Sequence, residues 1–108
     1  MSYNVLVIPL FEKQAKRLAK KYPSLKKELA ELFENLASYP DQGKALGNNF
    51  YKIRLAIHSK GKGKSGGARI ITYVRIIDSE VYLTSIYDKS EKSNITNKEL
   101  EEIFKSIE

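Results

Sequence analysis

Residues 60–69 read Lys-Gly-Lys-Gly-Lys-Ser-Gly-Gly-Ala-Arg, three lysines alternating with glycine ahead of an arginine. Lysine brings a compact positive charge, and glycine lets the backbone approach a ligand closely. A segment of this composition has little to bury and much to offer a polyanion, so Lys60, Lys62 and Lys64 are candidate anion-binding groups. Taken alone, the same run also fits a solvated hairpin loop.

The flanking residues favour the first reading. In residues 50–57, Lys52 and Arg54 stand two positions apart. On an extended strand such residues share a face, about 6.5–7 Å apart, close to the repeat of a nucleic-acid backbone. Arg69 and Arg75 share parity on the next β-rich stretch, residues 68–77. If the two strands pair across the loop, Lys52, Arg54 and Arg69 converge on one sheet face. Charged residues on an outward sheet face can also do no more than meet water; four of them bracketing a lysine–glycine loop point to a patch. Tyr51, Tyr73, Tyr82 and Tyr87 accompany it. Strand tyrosines generally pack, and only Tyr87, beside Asp88 and Lys89, is placed to meet a ligand.

Two other signals carry less weight. Gly63-Lys64-Ser65 resembles the end of a phosphate-binding P-loop, but His58 stands where that motif needs glycine, and strand rather than helix follows. His58, the one histidine, stands at a strand-to-loop junction and is a possible acid or base. No carboxylate pair or Ser/His/Asp arrangement stands out, so enzymatic chemistry must run on lysine, arginine and tyrosine or His58. RNA cleavage allows this, because the substrate's own 2′-hydroxyl is the nucleophile. Arginine and lysine stabilise the charged phosphate, and a lysine among cations loses its proton more easily.

The elements that must position these groups are legible from periodicity. Residues 5–8 are β-formers, ended by Pro9 at a first helical position. Phe11, Ala15, Leu18 and Tyr22 mark one face of a first helix; Leu25, Leu29, Leu32, Phe33 and Leu36 mark a second, with Ser24 as its cap. Residues 41–49 read as loop, 50–57 and 68–77 as long strands, and 81–87 as a third strand after a tight turn. Residues 88–94 are polar and irregular. Thr96 and Glu99 have capping-box spacing ahead of Leu100, Ile103, Phe104 and Ile107. The expectation is an α+β fold forming a single domain over residues 1–108. An antiparallel sheet packs against an N-terminal helical hairpin, with a short C-terminal helix.

Composition bounds the partners. Nineteen Lys+Arg against thirteen Asp+Glu give a net charge of +6, which favours an acidic partner. The absence of cysteine excludes disulfides and thiolate metal sites, and one histidine argues against a histidine-built zinc site, so no metal or cofactor is expected. The apolar run at residues 5–11 is too short to span a membrane, is broken by Pro9 and lacks a preceding basic segment. A cytoplasmic protein is the expectation.

Tyr51-Lys-Ile-Arg-Leu55, the residue 60–71 run and Ile86-Tyr-Asp-Lys-Ser-Glu-Lys92 closely resemble the toxins of the RelE/ParE superfamily, nearest the HigB/RelE branch. The resemblance implies the toxin of a type II toxin–antitoxin module. Such a toxin is an endoribonuclease that cuts mRNA in the ribosomal A site by metal-free 2′-hydroxyl attack and is neutralised by a cognate antitoxin. By position it assigns Lys52 and Arg54 to the basic pair, Arg69 to the scissile phosphate, and Lys89 to further phosphate binding. Lys52, Lys64, His58 and Tyr87 remain open as general acid or base. Lys60, Lys62, Lys64, Arg75 and Lys92 are expected to bind RNA or the ribosome. The rival readings are a ParE-like inhibitor of DNA gyrase on the same fold, and a decayed or non-catalytic RNA-binding module.

Overall fold

The computed structural model describes residues 2–61, 63 and 66–107. Eight main elements follow in order: β1 (Asn4–Val7), α1 (Pro9–Lys21), α2 (Leu25–Ser38), β2 (Lys44–Gly47), β3 (Phe50–Leu55), β4 (Ala68–Arg75), β5 (Glu80–Asp88) and α3 (Asn97–Ile107). They build an α+β fold around one five-stranded sheet of order β1-β5-β4-β3-β2.

Two features depart from the sequence expectation. The sheet is mixed rather than antiparallel, because β1 lies parallel to β5, Asn4 opposite Glu80 and Val7 opposite Leu83. The helical hairpin is the crossover that makes this possible: a chain leaving β1 through two helices returns to the sheet from the far side. The second departure is β2, an edge strand within residues 41–49, where a loop was expected. Its Lys44 pairs with Lys52 and Ala45 with Tyr51. Glycines at 43 and 47 and an exposed, half-polar sequence hide it from any periodicity argument.

The two sheet faces divide the core. Phe11, Leu18, Leu25, Leu32 and Leu36 of the hairpin bury against Ile53, Ile70, Val81, Leu83 and Ile86. Phe50, Ile71, Tyr73 and Tyr87 form a second cluster under Ile103 of α3. The period-3.6 stripes therefore pack as expected, and each fully buried Leu or Ile contributes about 1.5–3 kcal/mol relative to exposure. The Ser24 cap is a correction: its hydroxyl binds the Glu28 carboxylate at 3.2 Å and Ser59 at 2.9 Å rather than the helix amides. The capping box of α3 is present, with Thr96 N–H donating to Glu99 Oε1 at 2.9 Å and Glu99 N–H to Thr96 Oγ1 at 3.1 Å.

Three local devices set the register near the basic residues. Thr84 is the extra residue of a bulge on β5, lying between the pairs Ile71–Ser85 and Thr72–Leu83, and its hydroxyl donates to the Ile71 carbonyl at 2.9 Å. Past the end of β1, Gln14 of α1 accepts the Ile86 N–H at 2.9 Å and so covers the open edge of β5. Gly67 lets β4 begin against the end of β3: a Cβ there would lie 2.0 Å from the Leu55 carbonyl oxygen.

Candidate nucleic-acid interface

The β3–β4 register places Arg54 directly opposite Arg69, and Lys52 opposite Ile71. The β4–β5 register places Arg69 opposite Tyr87. Strand alternation then puts Lys52, Arg54, Arg69 and Tyr87 on the face that also carries α3. The convergence expected from the sequence is thus present in the backbone pairing.

The members differ in burial. Arg54 is exposed and Lys52 is half-buried, whereas Arg69 is only 4% exposed and its guanidinium donates to the Ala68 carbonyl at 3.2 Å. Loss of solvent lowers the Lys52 ammonium from its ordinary pKa. Crowding by Lys44, Lys89, Arg69 and Arg54 adds to the effect. Lys52 also donates to Asn94 Oδ1 at 3.2 Å.

Two buried side-chain oxygens find no hydrogen-bond partner of normal geometry among the described residues, Thr72 Oγ1 and the Tyr87 hydroxyl. Burial pushes the phenol up, against the pull of the Arg69 cation and the nearby Ile95 amide. Lys92 stands 5.7 Å from its ring centroid, ion-paired with Glu99. Lys89, on the segment that leaves β5, donates to the Ser93 carbonyl at 2.7 Å. Residues 89–96 therefore close over the inner part of the basic face and occupy Lys52 and Lys89.

Such a face, with cations graded from exposed to buried around a phenol that makes no normal hydrogen bond among the described residues, suits an anion. The family model for the RelE toxin of the RelE/RelB toxin-antitoxin system matches residues 10–107. The chain belongs to the RelE toxin family. Among solved structures, a mutant of the E. coli toxin RelE in the free state matches with a TM-score of 0.66 at 18% identity, over 100% of both chains. At that identity the likeness speaks for the fold.

Within this RelE-family toxin, three sequence candidates lie elsewhere than expected. Lys60 was expected to dock RNA, but its side chain is 9% exposed and its ammonium is ion-paired with the fully buried Asp88. His58 turns toward α2: its Nδ1 lies 2.9 Å from Glu28 Oε2, and the same oxygen accepts its backbone N–H at 2.7 Å. Arg75 lies six residues from Arg69 along β4, about 20 Å away, among Glu80, Asp78 and the Tyr82 hydroxyl. Tyr73 packs with Phe50, Tyr82 and Phe104, and the Tyr82 ring also lies under the Arg75 guanidinium. Lys62 and Lys64 lie outside the described residues.

The sequence reading missed Asp88, Lys44 and Asn94. Asp88 shares parity with Ile86 on an apolar strand, which marks it for the buried face, and its partners Tyr22 and Lys60 come from distant segments. Lys44 belongs to the edge strand read as loop. Asn94 carries no local signal.

Proposed function

We propose that this toxin is a ribosome-dependent endoribonuclease that cleaves mRNA by 2′-hydroxyl attack without a metal, and that a cognate antitoxin neutralises it. The observation that carries the reading is the register that sets Arg54, Arg69 and Tyr87 side by side across three strands, with Lys52 on the same face.

In this mechanism the neutral amine of Lys52 takes the 2′-hydroxyl proton. The O2′–P bond forms while the P–O5′ bond breaks, leaving a 2′,3′-cyclic phosphate and a 5′-hydroxyl. Arg69 and Arg54 hold the non-bridging oxygens, whose charge grows in the transition state. Lys89 adds a further phosphate contact. Tyr87, protonated and without a normal hydrogen bond among the described residues, gives its proton to the leaving 5′ oxygen. RNA must lift residues 89–96 to reach it. Exposed lysines of α1, with Lys62 and Lys64, supply docking on ribosomal RNA, and each phosphate neutralised adds about −0.7 to the slope of log affinity against log salt on single strands.

The test is a defined mRNA on initiated ribosomes, incubated with wild type or Arg69→Ala and mapped for new 5′ ends. In-frame ends bearing 5′-hydroxyls, produced by wild type and lost with Arg69→Ala, are expected. Growth arrest in cells with mRNA left intact overturns the nuclease reading.

A further inference from the structure

The lysine–glycine segment begins at Lys60 and leads to Ala68 at the start of β4, and both of these residues meet Asp88. Ala68 meets it through the β4–β5 ladder, and Lys60 through an ion pair from its ammonium, which also donates to Ser90 Oγ at 3.2 Å. The Asp88 carboxylate is filled further by the Tyr22 hydroxyl at 2.6 Å and by Ser90 N–H at 2.9 Å and Oγ at 2.8 Å. One residue on, Lys89 N–H donates to the Gly67 carbonyl at 3.0 Å. The neck of the loop is thus tied at both ends to the residue between Tyr87 and Lys89, and α1 is tied to the same point through Tyr22. Asp88 is fully buried and turned toward the helical hairpin, away from the basic face.

We infer that Lys60 is a positioning residue: through the buried Asp88 carboxylate it holds the neck of the lysine–glycine loop against the end of β5 and so sets where Lys89 and Tyr87 stand. This deepens the nuclease reading and, for its kinetic arm, rests on it. It also separates Lys60 from Lys62 and Lys64. An ammonium spent on Asp88 neutralises no phosphate, so its loss should leave the electrostatic part of ribosome binding alone.

The experiment compares wild type, Lys60→Met and Lys60→Arg by two readouts. Amide hydrogen exchange on the free chain should show the Lys89 amide losing at least tenfold protection in Lys60→Met, while Ile71 and Val81 in the sheet centre keep theirs. Lys60→Arg, which retains a cation, should recover part of the loss. On programmed ribosomes, Lys60→Met should lower kcat at least tenfold with an unchanged salt dependence of binding. Should Lys60→Met fail to fold, Tyr22→Phe removes one hydrogen bond to the same carboxylate and carries the same exchange test. Unchanged Lys89 protection overturns the inference, as does a shallower salt slope with kcat intact, which would make Lys60 an RNA contact. If wild type cuts no RNA while the exchange result holds, the nuclease reading fails and the positioning role stands.

Discussion

Arg54 and Arg69 face each other as direct cross-strand partners on β3 and β4. Like charges in that relationship destabilise a sheet by up to about 1 kcal/mol, so the pair is a cost to the fold that an anion between the two guanidinium groups would relieve. Arg54→Thr is expected to raise stability slightly while lowering cleavage. Arg69→Ala, which removes the buried cation beside Tyr87, should lower kcat by about 10²–10³-fold. Thermal melts alongside single-turnover cleavage on ribosomes check both, and a parallel fall of stability and activity in Arg54→Thr would contradict the assignment.

Lys52 gives a pH signature. Burial and four neighbouring cations lower its pKa, so the neutral amine becomes populated at a lower pH than for an ordinary lysine. Cleavage should rise with pH as this group deprotonates. Lys52→Arg, which stays charged, should be slow and lack that rising limb. The same shift has a stability sign: between the lowered folded pKa and the ordinary one, the unfolded chain binds more protons, so stability climbs with pH through that window. A pH–rate profile identical in wild type and Lys52→Arg would remove Lys52 as the base.

Tyr87 carries a buried hydroxyl with no normal hydrogen bond, and such a group costs about 1–3 kcal/mol. Tyr87→Phe should therefore be at least as stable as wild type in denaturant titration. If the phenol serves as the acid, the same variant should cut at least tenfold more slowly. Full activity with a stability gain would assign the hydroxyl no part in the reaction.

Asp88 predicts an acid limb of stability. Burial alone would raise its pKa, but hydrogen bonds from Lys60, Tyr22 and Ser90 outweigh that and hold the carboxyl well below the usual range. A depressed folded pKa contributes stability in full above the unfolded value, near 3.9, and loses it as pH falls through the folded one. Asp88→Asn leaves Lys60 buried without its counter-ion, so a loss of about 3–5 kcal/mol is expected at neutral pH. The gap between variant and wild type should narrow below about pH 4. Urea titrations at neutral and acid pH measure it.

What could be read from the sequence followed periodicity. The hairpin stripes from Phe11 to Leu36, the long strands with Ile53 and Ile70 inward, and the Thr96–Glu99 box are local patterns, and they pack as read. Lys52, Arg54 and Arg69 converge because parity and one hairpin register suffice to bring them together. The failures needed information from across the chain. Lys60 and Lys62 look alike in sequence, yet Lys60 finds Asp88 twenty-eight positions on, and nothing near it announces that partner. His58 is drawn to Glu28 by the same kind of distant pairing. The direction of β1 is set by a two-helix crossover, and β2 is too short and glycine-rich to show a period.

The parallel seam between β1 and β5 bears on when the protein can exist at all. Asn4 is synthesised well before Glu80 and must wait for it before its strand has a partner, and Arg69 gains its neighbour Tyr87 from that same later strand. Contacts this distant in sequence form slowly and late, after much of the chain is available. A nascent copy from which β5 has not yet emerged would hold the helical hairpin but neither a closed sheet nor an assembled basic face, so the cell that makes it is spared the finished molecule until that strand is free to pair.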